Sequence, residues 1–476
     1  MRKLTIIICA LIGFSSFGQT KKWTLQECVD YALENNISIK QSELDVKQAE
    51  INKKDAIGNF FPTLNGSGSH SWNIGLNQNI TTGLLENQTT QFTSVGLTSG
   101  VDIFKGLQNL NRLHRENLSI LASQYQLDNM KDDISIMVAN AFLQILFNKE
   151  QLKVLQTQNN ISLQELNRTQ ELVNAGALPK GDILEIQATI ATQELQLVNA
   201  ENAVIISRVN LAQLLLLEDY QTFDIVDADY DVPLSDVLQK GPEAIIEKAK
   251  DTRYDIKIAE TNTEIAERDL QIARGTLWPT LRGFYNYSTR ASYSDRIVGY
   301  EIDANNPLSQ IGVVQGTGEV VVAPNYSGII DGPANVFDQF SLNDGHNFGL
   351  QLSVPIFNGL SFRNNIKRNK VNLERFKYQL EQSKLDLEST VYQAYNDCKG
   401  ASKAYEAAQK TLAAREQAFN YSQERYNVGL LNSFDYSQSQ NQLEVAQSEV
   451  VRTKYDYIFK LKVLEYYFGI PITDIY

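Results

Sequence analysis

Phe60-Phe61-Pro62-Thr63-Leu64 returns 217 residues later as Leu277-Trp278-Pro279-Thr280-Leu281. At the same offset Ile39-Lys40 matches Ile256-Lys257, Ala49-Glu50 matches Ala266-Glu267, and Ala56 matches Ala273. A second stretch, Val101-Asp102-Ile103-Phe104-Lys105-Gly106-Leu107, returns 253 residues later as Val354-Pro355-Ile356-Phe357-Asn358-Gly359-Leu360. That offset also matches Tyr125-Gln126-Leu127 with Tyr378-Gln379-Leu380 and Asn174-Ala175-Gly176 with Asn427-Val428-Gly429. The chain is therefore two copies of one unit. The second copy is longer by 36 residues, all between the two matched stretches. Each copy reads as a helical segment, a proline stop, a β-like stretch and a second, longer helical segment.

Residues 24–60 read as helix. Thr24 is placed to cap it, with Glu27 completing a capping box, and Pro62 stops it. The period then changes to two. Leu64, Gly66, Gly68, His70, Trp72, Ile74 and Leu76 alternate with Asn65, Ser67, Ser69, Ser71 and Asn73. Thr93, Val95, Leu97, Ser99, Val101 and Ile103 alternate with Ser94, Gly96, Thr98, Gly100 and Asp102. In the second copy Leu281, Gly283, Tyr285 and Tyr287 alternate with Arg282, Asn286 and Ser288, with Phe284 breaking the polar side. Phe348, Leu350, Leu352, Val354 and Ile356 alternate with Asn347, Gly349, Gln351 and Ser353. Each run is about the 9–11 residues of a tilted membrane strand, and the same alternation fits a soluble hairpin. Phe60, Phe61, Phe104, Trp278 and Phe357 sit at the ends of the four strands, where a membrane girdle or the cap of a small core would place them. Residues 291–346, rich in Gly, Asn, Asp and Ser, read as a long loop.

From Leu107 to about Val173 there is no proline. Ile134, Val138, Ala141, Ile145, Asn148, Leu152 and Leu155 step by four and three, a coiled-coil seam. A helix of that length runs about 100 Å and needs long neighbours. Gly176 suits its left-handed end, Pro179 lies beyond, and Asp182 is placed to cap the return over about 182–217. The second copy repeats this, with a helix from 360 to 427, a turn at Gly429-Leu430 and a return from Asp435 to 468.

The chain has 476 residues and a net charge of −13, which argues against nucleic acid. Arg2 and Lys3, the apolar run Leu4 to Phe14 and Ser15-Ser16-Phe17-Gly18 read as a signal peptide, residues 1–18. Cys9 follows Ile8, not the small residue a lipoprotein signal wants. Cys28 and Cys398 remain, and Cys398 matches the seam position Ile145. No later stretch is long and apolar enough for a transmembrane helix. His70, His114 and His346 show no metal-ligand spacing, and no catalytic motif stands out. The acidic connector around 218–242 reads as solvated, a Ca²⁺ site there lacking a recognisable spacing. No enzyme, cofactor or metal is expected. The division is 19–230 for the first repeat, with a β-hairpin over 64–104 and a helical hairpin over 107–217. The second, 231–476, has a helix over 243–277, a β-hairpin over 281–357 and a helical hairpin over 360–468.

Four strands cannot close a barrel, and open edges are prohibitive in a bilayer. Membrane strands would therefore have to be shared among copies. The order of features resembles the TolC family of outer-membrane channels over about 23–471. Its carriers are the opening Trp23-Thr24-Leu25-Gln26-Glu27, the Phe61-Pro62 and Trp278-Pro279 junctions, the Ile-Phe-x-Gly turns at 103–106 and 356–359, and the Gly176/Asp182 and Gly429/Asp435 tips. The resemblance implies an α+β, mainly α protomer in a homotrimer, with a 12-stranded outer-membrane β-barrel on a periplasmic helical barrel. It implies an exit duct for efflux or type I secretion, docked to a periplasmic adaptor and an inner-membrane RND or ABC transporter. It also implies a constriction at Asp182, Tyr426, Asp435 and Gln438, and adaptor docking at Gly176, Gly429 and Leu430. Gln438 and Leu431 stand where relatives can carry an acid and a base, so a bridge-locked closed state is not implied. The acidic balance would favour cations in such a lumen. The competing reading is a secreted coiled-coil scaffold or adhesin with soluble hairpins.

Overall fold

A computed structural model describes residues 22–78, 83–227, 232 and 236–470. The expected signal segment, 1–18, lies outside them, as do Asp229, Asp231 and Pro233 of the connector. Strand β1 (Lys22–Trp23) leads into α1 (Leu25–Asn35), which Thr24 caps as its sequence predicts. The Thr24 hydroxyl accepts from the Glu27 N–H at 3.2 Å, and the Glu27 carboxylate accepts from the Thr24 N–H at 3.0 Å. The helix then breaks where the sequence reads as continuous, and α2 (Ile37–Gly58) starts afresh. Asn36 turns extended there, and its side-chain oxygen accepts from the Ser38 N–H at 2.9 Å. An asparagine that caps the next helix competes with continuing the first. Strands β2 (Thr63–Gln78) and β3 (Leu85–Lys105) follow, then the 67-residue α3 (Gln108–Asn174) and its return α4 (Lys180–Leu214). Strand β4 (Asp224–Ile225) pairs parallel with β1.

The second repeat copies the plan. Helices α5 (Gly241–Thr252) and α6 (Tyr254–Gly275) break at Arg253, the position matched to Asn36, although 243–277 reads as one helix. Strand β5 (Thr280–Ser292) and a later strand β10 (Gly345–Ser353) correspond to β2 and β3. Between them 291–346 is not the loop its composition suggests. It holds β6 (Arg296–Ile302), β7 (Leu308–Val313), β8 (Val320–Pro324), β9 (Tyr326–Asp331) and a short α7 (Val336–Leu342). Strands β6 and β9 pair antiparallel, as do β7 and β8. Runs such as Val320-Val321-Val322 favour strand, and Gly316 and Gly318, with φ of 112° and 76°, make the reversal between β7 and β8. Strand β10 stops at Ser353, short of the expected Val354 and Ile356, because Pro355 has no N–H for the ladder. Helices α8 (Ser361–Asn427), again 67 residues, and α9 (Ser433–Phe468) complete the chain.

The chain divides into two compact units. Among the described residues, one lies within 22–51, 117–267 and 371–470 and is mainly helical; the other holds 52–116 and 268–370 and carries the four-stranded sheet and the β6–β9 and β7–β8 pairs. The helical unit has two matched apolar clusters. In the first, Cys28 and Ala32 of α1 meet Val138, Phe142 and Ile145 of α3 and Leu211 of α4. In the second, Ile245 and Ala249 of α5 meet Val391 and Cys398 of α8 and Leu464 of α9. These positions correspond pairwise at the two offsets: Cys28 to Ile245, Ala32 to Ala249, Val138 to Val391, Ile145 to Cys398 and Leu211 to Leu464. All ten are fully buried. The duplication is thus kept at the level of side-chain packing. Cys28 and Cys398 are free thiols in separate clusters, and burial pushes the Cys398 thiol up to about 12. Two of the connector's acids are matched rather than simply solvated: Lys149 Nζ lies 2.7 Å from Asp224 and 2.6 Å from Asp227.

In the sheet unit the strand order is β10-β5-β3-β2, all antiparallel. The register puts cross-strand partners on one face. Leu64 to Leu76 on β2 share a face with Val95, Leu97 and Val101 on β3, Tyr285 and Tyr287 on β5, and Phe348, Leu350 and Leu352 on β10. The opposite face carries Asn65, Ser67, Ser69, Thr98, Arg282, Asn286, Asn347 and Gln351. A bulge at Ile103, between Asp102 and Phe104, puts Ile103 and Phe104 on the apolar face together. Polar atoms on that face satisfy one another: His70 bonds Thr93 at 2.8 Å, and Tyr285 bonds His346 at 2.8 Å. At 16 and 21 residues β2 and β3 exceed the expected lengths.

Replacing the buried Ile145 by Ala removes packing on every side of the first cluster, at a cost of about 2–5 kcal/mol. The thermal midpoint of the purified protein should fall accordingly. Leu110→Ala, at a position on the same helix that is 43% exposed, should leave that midpoint close to wild type.

Candidate functional site

The two helical hairpins turn by the same device. Gly176 follows α3 with φ of 75°; its N–H bonds Val173 O at 3.0 Å, and Ala177 N–H bonds Leu172 O at 2.8 Å. Gly429 follows α8 with φ of 76°, its N–H bonding Tyr426 O at 3.0 Å and Leu430 N–H bonding Arg425 O at 2.8 Å. These are paired Schellman caps, for which a residue without Cβ is suited. Just beyond, Leu430 is 70% exposed, and Val428, Phe434 and Leu184 stand out from the surface with it.

Neither tip aspartate is a helix cap. Pro179 occupies that position for α4, and Asp182 is the third helical residue. Its carboxylate accepts from Ser433 Oγ at 2.9 Å, which ties α4 to α9. Asn432 caps α9, accepting from the Asp435 N–H at 2.8 Å and donating its amide to the Asp435 carboxylate at 3.0 Å. Tyr426 does not stand on the surface. It is buried in a tip cluster with Phe419, Tyr436 and Leu443, its ring stacked on Tyr436 at 4.5 Å. Its hydroxyl shares a 3.2 Å hydrogen bond with Thr169. Gln438 is exposed and lines a recess of about 460 Å³ between α4 and α9 with Glu185, Thr189, Gln193 and Glu444.

The contact between the hairpins changes character toward the tips, which the sequence reading missed. On α3 the buried positions after Leu155 are Gln158, Ser162, Glu165 and Thr169. They continue the three-and-four spacing with polar side chains. Gln158 donates to Gln447 at 2.7 Å, Gln440 donates to Ser162 at 2.9 Å, and Gln151 donates to Ser448 at 2.8 Å. On α4, Gln193 donates to Glu444 at 3.1 Å. Burial raises the Glu165 carboxyl against the opposing pull of Arg168, and burial raises that of Glu444 against its bond from Gln193. The missed signal lay in the seam itself, where the apolar spacing after Leu155 is carried on by amides and hydroxyls.

The model of the outer membrane efflux protein family matches residues 28–215 and 245–469, one match for each repeat.

The chain belongs to the outer membrane efflux protein family.

A relative in Pseudomonas aeruginosa, the pyoverdine export outer membrane protein OpmQ, is 22% identical over 372 residues, covering 78% of this chain and 68% of that protein. Among solved structures the chain is similar to CusC, with a TM-score of 0.70, 16% identity and 96% of each chain covered. The outer membrane protein VceC of Vibrio cholerae gives 0.69, 14% identity and coverage of 94% and 96%. These likenesses carry the protomer fold.

With that family in view, the aromatic residues at the strand–helix junctions take on weight. Phe60, Phe61, Trp278 and Phe357 are exposed by 45%, 63%, 58% and 81%, and Phe104 is half-buried. Phe357 lies four residues past β10 rather than at its end. A small buried core at these junctions would have covered those rings. Among the described residues no helix is long and apolar enough to cross a membrane, and no group of His, Cys, Asp or Glu is arranged to hold a metal.

The raised carboxyls at Glu165 and Glu444 give a signed pH dependence. The folded tip binds protons more tightly than the unfolded chain, so its stability rises as pH falls from the raised folded value toward the ordinary carboxyl range. Glu165→Gln and Glu444→Gln remove the buried charge. At pH 8 both should slow tryptic cleavage at Lys180 and Arg425 several-fold, read by mass spectrometry of the nicked products. Faster cleavage in both variants would contradict this account of the seam.

Proposed function

We propose that three copies of this protein close their sheets into one 12-stranded outer-membrane barrel, continued by the helical hairpins into a periplasmic duct. The duct is a passive exit path and carries out no reaction. It serves a tripartite efflux pump or a type I secretion system, coupled to a periplasmic adaptor and an inner-membrane RND or ABC transporter. The observation that carries the reading is the pair of open edges, β2 and β10, on a sheet whose one face is mainly apolar. In hydrocarbon an unpaired strand edge is too costly to persist.

The duplication supplies the missing contact. Within one protomer β3 of the first repeat pairs with β5 of the second. Moved by the two repeat offsets, that pairing becomes β10 against β2 of the next copy. Ser94 opposite Arg290 becomes Asn347 opposite Asn73, and Val95 opposite Thr289 becomes Phe348 opposite Trp72. The faces agree, apolar with apolar and polar with polar. The glycines point the same way. A Cβ on Gly106 would lie 2.2 Å from the Gly275 carbonyl oxygen, so these two backbones touch. Their repeat equivalents, Gly359 and Gly58, have nothing within 4 Å of such a Cβ, which suits glycines reserved for a neighbouring copy.

Gly176, Gly429 and Leu430 form the adaptor-docking end in this reading, supported by the exposed apolar side chains around them. Asp182, Asp435 and Gln438 are the candidates for the aperture, with Tyr426 acting from behind by holding the two hairpins together. The exposed rings at the strand–helix junctions form the girdle at one membrane interface.

The reading is tested by oxidising outer-membrane fractions of cells that express Asn73→Cys/Asn347→Cys. A species of three linked chains on a denaturing gel is expected, and Ser71→Cys/Asn347→Cys should link much less. Recovery of the protein in the soluble fraction without detergent, unlinked, would favour a secreted scaffold and end the duct reading.

A further inference from the structure

The polar face of the sheet is lined mainly by Ser, Asn, Thr and Gln, and one cation on it stands apart. Arg282 on β5 is exposed and, among the described residues, makes no ion pair or hydrogen bond. Its cross-strand neighbour Asp102 is held by Lys105 Nζ at 2.6 Å. The other arginine of that face on β5, Arg290, is committed to the ring of Phe92, 3.4 Å from its centroid. Arg282 instead lies over Gly100 on β3. A Cβ there would sit 2.6 Å from a guanidinium nitrogen, so the guanidinium fills the space that glycine leaves open. On the other side, Phe284 lies over Gly349 of β10, where a Cβ would be 3.2 Å from the ring. Arg282 and Phe284 together line a recess of about 330 Å³ with Asn65, Thr98, Asn286 and Gln351.

The duplication shows that this arrangement is not a requirement of the fold. At the matched positions of the first repeat, Asn65 stands for Arg282 and Ser67 for Phe284. Strand β10 carries Ser353 where β3 has Gly100. The guanidinium, the ring and the glycine that seats the guanidinium occur once per protomer.

We propose that this recess is an anion subsite in the lumen of the barrel, one per protomer, which takes planar aromatic carboxylates. The guanidinium fork pairs with the carboxylate in bidentate fashion. The Phe284 ring offers an apolar face to the aromatic part, and the surrounding amides and hydroxyl hydrogen-bond the remaining oxygens. The subsite rests on the barrel reading given above, because only that reading turns the polar face toward a channel. It also sets a local preference against the overall acidic balance of the chain, which would favour cations.

The test is conductance of purified trimers in planar bilayers, with 2-naphthoate as the probe and uncharged 2-naphthamide as its control. Naphthoate should block the wild-type pore and naphthamide should not. The half-blocking concentration should rise by about tenfold in Arg282→Gln, the loss expected for one charge-assisted pair. Gly100→Ala, which evicts the guanidinium without removing it, should show the same direction, and Arg290→Gln should behave as wild type. Conducting trimers that naphthoate does not block, or blocks equally in Arg282→Gln, would overturn the subsite and leave the barrel standing. Absence of a conducting trimer would overturn the barrel and the subsite with it.

Discussion

The outward-facing N–H and C=O groups of the edge strands β2 and β10 have no partner strand among the described residues of the protomer. In water such edges can be solvated, but in hydrocarbon each unpaired group costs several kcal/mol. Every other feature of the sheet unit is consistent with that demand. The mainly apolar face extends over four strands, His70 bonds Thr93 and Tyr285 bonds His346 on it, and large rings collect at the strand–helix junctions. A soluble hairpin would have no reason to put Trp72, Ile74, Phe348 and Leu352 all on an open surface, where they are exposed by 60%, 82%, 76% and 66%.

The plan of the fold was legible because duplication supplies its own control. A single Phe-Pro or Phe-x-Gly signal is weak, but two in register at constant offsets locate helices, strands and tips together. The strength of the signal has a packing cause. Pairs such as Ile145 and Cys398, or Ala32 and Ala249, occupy the same completely buried site in the two clusters. The Gly-Leu of each strand-to-helix turn recurs because both residues there are left-handed, Gly106 and Leu107 at φ of 57° and 60°, and Gly359 and Leu360 at 64° and 67°. That geometry is costly for leucine, so its repetition marks a turn the architecture requires.

What stayed illegible was decided by tertiary partners or by which of several polar side chains takes a cap. The breaks at Asn36 and Arg253 lie within sequences that are helical on both sides, and a side-chain cap decides the first of them. The strands of 291–346 are masked by their Gly and Asn content until pairing between distant segments is known. At the tips, Asp182 and Asp435 are where the sequence places them, yet the caps are Pro179 and Asn432. Only the family resemblance points to Tyr426 as a constriction residue; the stacking of its ring on Tyr436 and the bond of its hydroxyl to Thr169 are contacts between segments that no local pattern reports.

From Ile134 to Leu155 the seam that the sequence shows on α3 alternates in steps of four and three, with Ala141, Asn148 and Leu152 half-buried, and from Gln158 to Thr169 the buried positions do so again, but Leu152, Leu155 and Gln158 are joined by two threes in succession. At about 100° per residue a step of three falls roughly 60° short of a full turn, whereas a step of four overshoots by roughly 40°. Two threes in a row are a stammer, which overwinds a coiled coil locally. The apolar and the polar stretches of one unbroken helix therefore follow different superhelical phases.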